Sequence, residues 1–224
     1  MILSLVSQKG GVGKSTLAIS FAWELLARKR RVLIVDADPQ ATASVAVEVA
    51  KELGHPAPSV VAMGKEMYRD DQLPAIARGF DDVVIDTPGK LGDIQKAALM
   101  VSDFALIPVG QSAADVWTLS STVVLLEQAR TFHQSLQAAV VLTRRKPRTA
   151  IGRNARAPLE ASGLRTLQSE TTDRMAWQEC IGAGLGVAQY APRDQGAVEL
   201  RSIVDEVLSL MVVPRKRKKV SNGR

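Results

Sequence analysis

The segment SQKGGVGKST, at residues 7–16, constrains the fold of this chain more than any other stretch. The apolar run ILSLVS (2–7) leads into it, and an apolar-periodic segment over about 14–29 follows. A strand, a glycine-rich turn and a helix in this order form an anion-binding unit. The N–H groups of the turn and the N-terminus of the helix converge on one negatively charged group. The chain therefore begins with a candidate phosphate-binding loop.

The residues of this loop match the chemistry of a bound triphosphate. Side chains at Gly10, Gly11 or Gly13 would block the close approach of the backbone to phosphate. Lys14 is placed to contact the β- and γ-phosphates, and the Ser15 hydroxyl is placed to bind Mg²⁺. We therefore expect the loop to bind a nucleoside triphosphate together with a magnesium ion.

The loop nevertheless departs from two general formulas. The phosphate-loop formula G-x-x-x-x-G-K-[ST] requires glycine where the chain has Gln8. A dinucleotide fingerprint, the main alternative, requires a third glycine where the chain has Thr16. Lys9 stands directly before the glycine pair, so its ammonium can reach a triphosphate in its own site or in that of a facing subunit. An ordinary exposed loop lysine is the alternative interpretation of Lys9.

The rest of the chain alternates between short apolar runs and amphipathic segments. This rhythm predicts an α/β fold with a mostly parallel, doubly wound sheet flanked by helices. We expect one domain over residues 1–213 and a disordered basic tail over 214–224. Strands are predicted at 2–7, 31–36, 59–63, 81–86, 104–109, 137–143 and 164–169, and helices over about 14–29, 41–53, 70–78, 93–101, 114–132, 151–161, 172–181 and 194–211.

The net charge of +6 is unevenly distributed. Residues 214–224 hold six basic side chains and no acidic one, and residues 144–174 hold eight basic against three acidic ones. Such local excess predicts a polyanion-binding surface, whereas a solvated loop and a solubilising tail are the alternative. The candidate DNA contacts are Arg145, Lys146, Arg148, Arg153, Arg156, Arg174, Lys216, Arg217, Lys218 and Lys219.

Composition also excludes several classes of protein. One cysteine, Cys180, excludes an internal disulfide framework and fits a reducing cytoplasm, and we expect it to be buried. The longest apolar runs are much shorter than the roughly 20 residues that span a bilayer, so no integral membrane association is expected. The first residues lack the basic leader of a signal peptide.

KGGVGKST resembles the deviant Walker A motif [KR]GGxxGK[ST], which marks the ParA/MinD family of P-loop ATPases. The resemblance implies that Lys9 reaches across an ATP-sandwiched homodimer to the phosphates of the partner, and that glycine is not needed at Gln8. It implies nucleotide contacts from Lys9, Gly10, Gly11, Val12, Gly13, Lys14, Ser15 and Thr16.

Two further stretches resemble motifs of the same family. VLIVDADPQAT (32–42) is similar to its D-x-D-P-Q switch segment, which implies that Asp38 positions the attacking water and that Asp36 supports the water shell of the metal. DDVVIDTPG (81–89) is similar to its Walker B strand, which implies that Asp86 contacts Mg²⁺ together with Ser15. The family ending D-x-P-P is replaced here by Pro88-Gly89, so the conformation of this second switch is an open question. The implied catalytic residues are Lys9, Lys14 and Asp38.

AALMVSDFALIPVGQSAADVWTL (97–119) and VLTRRKPRT resemble segments of small plasmid-partition ATPases. This resemblance implies that Thr143, Arg144 and Pro192 lie around the adenine. The core begins at residue 2, so we expect neither the N-terminal helix-turn-helix domain of larger ParA proteins nor sequence-specific operator binding.

The family implies a weak, Mg²⁺-dependent ATPase that a ParB-like or adaptor protein stimulates. Its ATP-bound homodimer binds nucleoid DNA non-specifically in the bacterial cytoplasm and positions a cargo. A plasmid is the expected cargo, with a protein microcompartment or a conjugation complex as variants. A MinD-like membrane-surface regulator and a metabolic or redox enzyme on the same scaffold are the alternatives. Pro214 and the charged tail disfavour the former, and the single cysteine disfavours an iron–sulfur reductase.

Overall fold

The computed structural model of the chain describes residues 1–90 and 92–211. Seven strands form one sheet in the order β3-β2-β4-β1-β5-β6-β7, and every pairing between these strands is parallel. The predicted α/β class is confirmed, and the sheet is parallel throughout. The strands are β1 Ile2–Leu5, β2 Val32–Asp36, β3 Ser59–Ala62, β4 Asp82–Asp86, β5 Phe104–Val109, β6 Gln137–Leu142 and β7 Arg165–Thr166.

Helices cover both faces of the sheet. Two 3₁₀ turns, Lys65–Tyr68 and Ile181–Ala183, accompany the α-helices. The α-helices of the described residues are α1 Lys14–Ala27, α2 Thr42–Glu52, α3 Leu73–Ala77, α4 Gly92–Val101, α5 Ala113–Arg130, α6 Ala150–Arg153, α7 Arg156–Glu160, α8 Met175–Glu179, α9 Val187–Tyr190 and α10 Gln195–Met211. None of these helices is long and apolar enough to cross a bilayer.

The continuous apolar runs of the strands serve two cores at once. Successive side chains of a strand point to opposite faces of the sheet. In β2, Val32 and Ile34 pack into the core under α1, α2 and α10, whereas Leu33 and Val35 pack into the core under α3 and α4. A strand buried on both faces therefore needs an unbroken apolar sequence, which is what its sequence predicts.

β1 lies at the centre of the sheet, between β4 and β5. Leu5 pairs with Asp86 on one side and with Leu106 on the other, so the loop that follows β1 leaves the sheet beside the ends of both neighbours. Asp36 pairs with Asp86 in register. The carboxyl ends of β1, β2, β4, β5 and β6 thus form one edge, where ligands of such sheets bind.

The predictions differ from the structure mainly after β6. The predicted helix 151–161 is two short helices, α6 and α7. The helix is interrupted at residues 154–155, and α7 begins two residues before Pro158, since proline is tolerated in the first turn of a helix but not in its interior. The predicted helix 172–181 is shortened to α8 because Thr172 forms an isolated bridge with Arg145. α9 lies at residues 187–190, where no helix is predicted, and β7 has only two residues.

Two smaller differences concern the first half of the chain and its end. The predicted helix over 70–78 is limited to α3 at Leu73–Ala77, because residues 69–72 form a turn. The predicted basic tail, with Lys216, Arg217, Lys218 and Lys219, lies outside the described residues.

Cys180 is fully buried, as predicted.

Candidate functional site

The glycine-rich loop forms a cradle in front of α1. Gly11 and Gly13 have φ values of 77° and 88°, which L side chains rarely adopt. A Cβ on Gly10, Gly11 or Gly13 would meet no atom within 4 Å, so the side of the loop where a side chain would project is open space. α1 begins at Lys14, directly behind this space. The loop therefore has both the backbone shape and the room that a phosphate requires.

The residues after β6 hold the loop in this shape. The Thr143 hydroxyl donates to the Val12 carbonyl at 2.8 Å, and Arg144 Nη1 donates to the Gly11 carbonyl at 2.9 Å. The C=O and N–H groups of one trans peptide point in opposite directions. Anchoring these two carbonyls therefore fixes the N–H groups of Val12 and Gly13. Thr143 and Arg144, predicted to lie near the adenine, are seen to position the loop.

A cavity of about 420 Å³ lies over the loop. The predicted residues that line it are Gly10 to Thr16, Asp38, Thr143 and Arg144. Its far wall comes from residues after β7, whose place in this cavity the sequence does not predict. That wall consists of Thr171, Thr172, Asp173, Arg174, Trp177 and Gln178. Pro192 does not line this cavity but lies exposed in the turn before α10, and its contact with nucleotide stays a prediction.

Lys14 and Asp86 form the buried charged floor of the site. Lys14 is 7% exposed, and burial lowers its pKa, although the charges of Asp86 and Asp38 act in the opposite direction. Asp86 is fully buried, and desolvation raises its pKa to about 7, although Ser15 and Lys14 act to lower it. Lys14 and the Asp86 carboxyl therefore lie close enough at the floor of the site for each to affect the pKa of the other.

The Asp86 carboxylate fits a metal-binding role. Within the described residues neither of its oxygens has a hydrogen-bond partner, and the nearby Ser15 hydroxyl falls short of hydrogen-bond geometry. A buried carboxylate without partners is costly unless a cation or a donor satisfies it. Carboxylate and hydroxyl oxygens are ligands that Mg²⁺ prefers. Ser15 and Asp86 are therefore the residues that would hold the ion.

The two aspartates of the first switch segment have different surroundings. Asp36 Oδ2 accepts hydrogen bonds from the N–H and the hydroxyl of Ser44, both at 2.8 Å, which ties the end of β2 to the first turns of α2. Its Oδ1 accepts from the N–H of Asp38 at 3.3 Å. Asp38 is partly exposed on the cavity wall, and its carboxylate accepts from the N–H of Gln40 at 3.0 Å. Asp36 therefore ties the switch to α2, and Asp38 faces the cavity over the loop.

The second switch packs directly against the phosphate loop. A Cβ on Gly89 would lie 3.3 Å from the backbone nitrogen of Gly10, tighter than an ordinary contact. The buried Gln95 side chain of α4 donates to the carbonyls of Ser7 and Pro88. Glycine at position 89 thus allows the second switch to lie close to the Gly10 backbone, where a larger residue would be strained. This contact is a structural reason for Pro88-Gly89 in place of the family ending D-x-P-P.

Lys9 lies at the rim of the cradle and is held by its own subunit. Its Nζ lies 2.7 Å from Asp115 Oδ1, and its side chain is one-third exposed. Asp115 Oδ2 accepts from the N–H of Ser112 at 3.0 Å in a capping box at the start of α5. Burial acts to raise the pKa of Asp115, but Lys9 and Ser112 outweigh it and the net pKa is lowered. The extra lysine is therefore paired with a carboxylate that stays ionised.

The predicted basic surface is smaller in the structure than in the sequence. Glu170 pairs with both Arg145 and Arg156, and Lys146 pairs with Asp173. Arg174 lies on the wall of the nucleotide cavity, where Asp194 and Glu199 flank it. Of the six predicted DNA contacts in the described residues, only Arg148 and Arg153 have no acidic partner there, since Arg145, Lys146, Arg156 and Arg174 are all paired.

Comparison with known proteins agrees with this site. The family described as "CobQ/CobB/MinD/ParA nucleotide binding domain" matches residues 3–180. The maintenance of carboxysome distribution protein A of Halothiobacillus neapolitanus is 31% identical over 209 residues, which span 92% of this chain and 95% of that protein. The chromosome-partitioning ATPase Soj of Thermus thermophilus is 27% identical over an alignment of 239 positions, which covers 92% of this chain and 95% of the relative.

A solved structure extends the likeness to the fold. Cobyrinic acid a,c-diamide synthase from Mycobacterium smegmatis, with a bound ATP analogue and magnesium, superposes with a TM-score of 0.77. It is 19% identical and covers 96% of each chain, so it shows a shared fold alone. The family match covers most of the chain and includes the loop, both switches and β6. The chain therefore belongs to the CobQ/CobB/MinD/ParA family of nucleotide-binding domains.

Proposed function

We propose that this chain is a ParA-type positioning ATPase. It hydrolyses ATP to ADP and phosphate, forms a homodimer around two ATP molecules, binds DNA non-specifically and positions a cargo. The observation that carries this proposal is the placement of Lys9. Lys14 already supplies the buried ammonium behind the cradle, whereas Lys9 stands outside it, one-third exposed and paired with Asp115. A second lysine so placed is suited to the phosphates of a facing subunit.

Different residues of the site have different roles in phosphoryl transfer. The backbone N–H groups of the loop and the Lys14 ammonium bind and neutralise the phosphates. Ser15 and Asp86 would hold a Mg²⁺ ion, and the bound ion would neutralise negative charge on the nucleotide phosphates. Asp38 faces the same cavity and orients the attacking water. This chemistry needs positioning and charge neutralisation, and Lys9 of the partner supplies the last charge, so hydrolysis in the monomer is slow.

DNA binding is assigned to Arg148 and Arg153, together with the basic residues beyond the described part of the chain. Both arginines are exposed, and neither has an acidic partner among the described residues. Contacts of this kind go to phosphates and carry little sequence information. The chain would then hold any stretch of nucleoid DNA while its ATP-bound dimer persists.

The names of the relatives support a positioning role. One relative is named for carboxysome distribution and another for chromosome partitioning. A plasmid is the cargo that we propose for this chain, and a protein microcompartment is the variant that the first relative supports. A ParB-like or adaptor protein on the cargo would stimulate hydrolysis and so release the dimer from DNA.

The proposal is tested by DNA binding at several salt concentrations with ATP, ADP or no nucleotide. We expect binding only with ATP, and we expect Lys9→Ala to abolish it while ADP still binds. Lys51→Ala, which removes an exposed lysine of α2, is the matched control and should behave as wild type. Binding that is equal with ADP and ATP would contradict the proposal. ATP-dependent binding to anionic vesicles in place of DNA would support a MinD-like regulator.

A further inference from the structure

A buried carboxylate of α10 contacts the wall of the nucleotide cavity from behind. Glu199 lies in the second turn of α10 and is 8% exposed. Its Oε2 accepts hydrogen bonds from the Thr172 N–H at 3.0 Å and from the Trp177 Nε1–H at 3.4 Å. Its Oε1 accepts from the Thr172 hydroxyl at 2.6 Å and lies 3.5 Å from Arg174 Nε. Both oxygens of Glu199 therefore bind the same short segment of the chain.

The three residues that contact Glu199 all line the nucleotide cavity. Thr172, Arg174 and Trp177 belong to its far wall, whereas Glu199 itself does not line the cavity. A side chain behind the wall touches a ligand only through the residues that it holds. Glu199 can therefore act on a bound ligand by positioning these three residues.

The wall depends on such contacts because most of it lies outside helices and strands. Residues 167–174 connect β7 to α8. The Thr171 N–H donates to the Leu142 carbonyl at 2.9 Å, which ties one side of this segment to the end of β6. Glu199 ties the other side to α10. A segment with few backbone hydrogen bonds of its own opens easily when such contacts are lost, so removal of Glu199 should loosen the wall.

Glu206 holds a neighbouring part of the same segment. It lies seven residues after Glu199, on the same face of α10. Its two carboxylate oxygens accept from the N–H groups of Gln168 and Ser169, at 2.8 and 2.9 Å. Neither Gln168 nor Ser169 lines the nucleotide cavity. The two glutamates thus make similar bonds, but only Glu199 holds residues that a nucleotide can reach.

The far wall faces the part of the cavity that the phosphates leave free. The loop and the start of α1 provide the anion-binding groups, so the phosphates lie at that end. The nucleoside of the ligand then fills the rest of the cavity, which the far wall bounds. Inorganic pyrophosphate has no nucleoside, so it can bind the loop without contacting the wall.

We propose that Glu199 is a positioning residue that gives the site its affinity for the nucleoside part of the ligand. It holds Thr172, Arg174 and Trp177 where the nucleoside contacts them, and the phosphate loop binds the phosphates independently of it. The inference rests on the nucleotide site of the proposed function, but it requires neither dimerisation nor DNA binding. Loss of Glu199 therefore reduces the preference of the site for nucleotides over inorganic pyrophosphate.

Calorimetric titration of the full-length chain with ADP or inorganic pyrophosphate, both with Mg²⁺, tests this role. Competition between the two ligands verifies that they share the loop. In Glu199→Ala we expect the affinity for ADP to fall about tenfold or more, because several hydrogen bonds to one charged group are lost. Its affinity for pyrophosphate should equal that of wild type. Glu199→Gln keeps one acceptor oxygen, so it should lose less affinity for ADP and none for pyrophosphate.

Glu206→Ala is the matched control. It removes the same functional group from the same face of α10, so both alanine variants should melt at a lower temperature than wild type. Only Glu199→Ala should bind ADP more weakly, because the residues that Glu206 holds lie outside the cavity. If thermal unfolding shows that Glu199→Ala does not fold, the two titrations of Glu199→Gln decide the question.

The outcomes separate this inference from the proposed function. Wild-type affinity for ADP in both Glu199 variants would overturn the positioning role. Equal losses of affinity for ADP and pyrophosphate, or an equal loss for ADP in Glu206→Ala, would show that Glu199 acts only through general stability and would also overturn it. If wild type binds no ADP, the proposed function and this inference both fail. If wild type binds ADP but never binds DNA, the proposed function fails and the selective loss in Glu199→Ala still supports the inference.

Discussion

Lys9 Nζ lies 2.7 Å from Asp115 Oδ1, so the first turn of α5 holds the lysine beside the phosphate loop within its own subunit. The other oxygen of the same carboxylate closes the capping box of α5 with Ser112. One side chain therefore both starts a helix and restrains the lysine. In the proposed dimer, the lysine must leave this carboxylate before it can reach the partner.

Asp115→Asn should make ATP-dependent dimerisation easier. The amide oxygen can still accept from the Ser112 N–H, but the charge that attracts Lys9 is removed. A partly exposed ion pair is worth up to about 1 kcal/mol, so the ATP concentration for half-maximal dimerisation should fall by about two- to fivefold. Light scattering during an ATP titration measures it. Asp93→Asn, at an exposed position in the first turn of α4, is the control, and an unchanged midpoint in Asp115→Asn would contradict the restraint.

Thr143→Val should weaken nucleotide binding. The change keeps the shape of this buried side chain but removes the hydroxyl that donates to the Val12 carbonyl. An unpaired buried carbonyl costs about 1–3 kcal/mol, and a loop that relaxes to avoid this cost no longer presents its N–H groups correctly. We expect affinity for ADP to fall about tenfold or more, measured by calorimetry. Thr143→Ser should retain wild-type affinity, and equal affinities for all three proteins would refute the positioning role.

Asp86 should make the nucleotide-free protein less stable as the pH rises. Its pKa is about 7 in the folded protein and lies near its ordinary value, about 4, in the unfolded chain. Between these values the folded state binds a proton that the unfolded state has released. The free energy of unfolding therefore falls as the pH rises from about 4 to about 7.

Asp86→Asn removes this titrating group and therefore tests whether ionisation of Asp86 destabilises the nucleotide-free protein. The variant should be more stable than wild type at pH 8, on the order of a few kcal/mol, and should differ least at pH 4. Urea unfolding without Mg²⁺ or nucleotide measures both values. Asp70→Asn, at an exposed position, is the control. A variant less stable than wild type at pH 8 would show that the Asp86 carboxylate stabilises the nucleotide-free fold.

The arginines of residues 144–174 should fall into two groups. Arg148→Ala with Arg153→Ala should reduce the salt dependence of DNA binding, by about 0.9 in logarithmic slope for each DNA phosphate that is no longer neutralised. Arg156→Ala should leave that slope unchanged and lower the melting temperature instead, because Arg156 is paired with Glu170. Filter binding over a salt series and thermal unfolding measure the two effects. A reduced salt slope in Arg156→Ala would show that Arg156 does contact DNA.

The sequence alone predicted the features that depend on neighbouring residues. The apolar run of β2 predicts a strand buried on both faces, and the glycines at positions 10, 11 and 13 predict the open cradle, because both signals are local. The order of the elements predicts the parallel sheet and its ligand-binding edge. Lys14, Asp38 and Asp86 lie at or next to this edge, and their roles in binding and catalysis stay predictions.

The features that were missed depend on contacts between distant parts of the chain. Nothing near Arg156 indicates that Glu170 neutralises it, and nothing near Lys9 indicates Asp115. Such contacts override local propensity, and a periodic pattern carries no record of them.

The anchors of the phosphate loop have a consequence for synthesis of the chain. Thr143 lies 131 residues after Val12, and Arg144 lies 133 residues after Gly11. During translation, the glycines and lysines of the loop are therefore synthesised well before Thr143 and Arg144, the two residues that donate to the loop carbonyls. ATP, which stabilises only the state that binds it, cannot assist folding of this domain until β6 has left the exit tunnel. Each molecule therefore binds nucleotide only after β6 has joined the sheet.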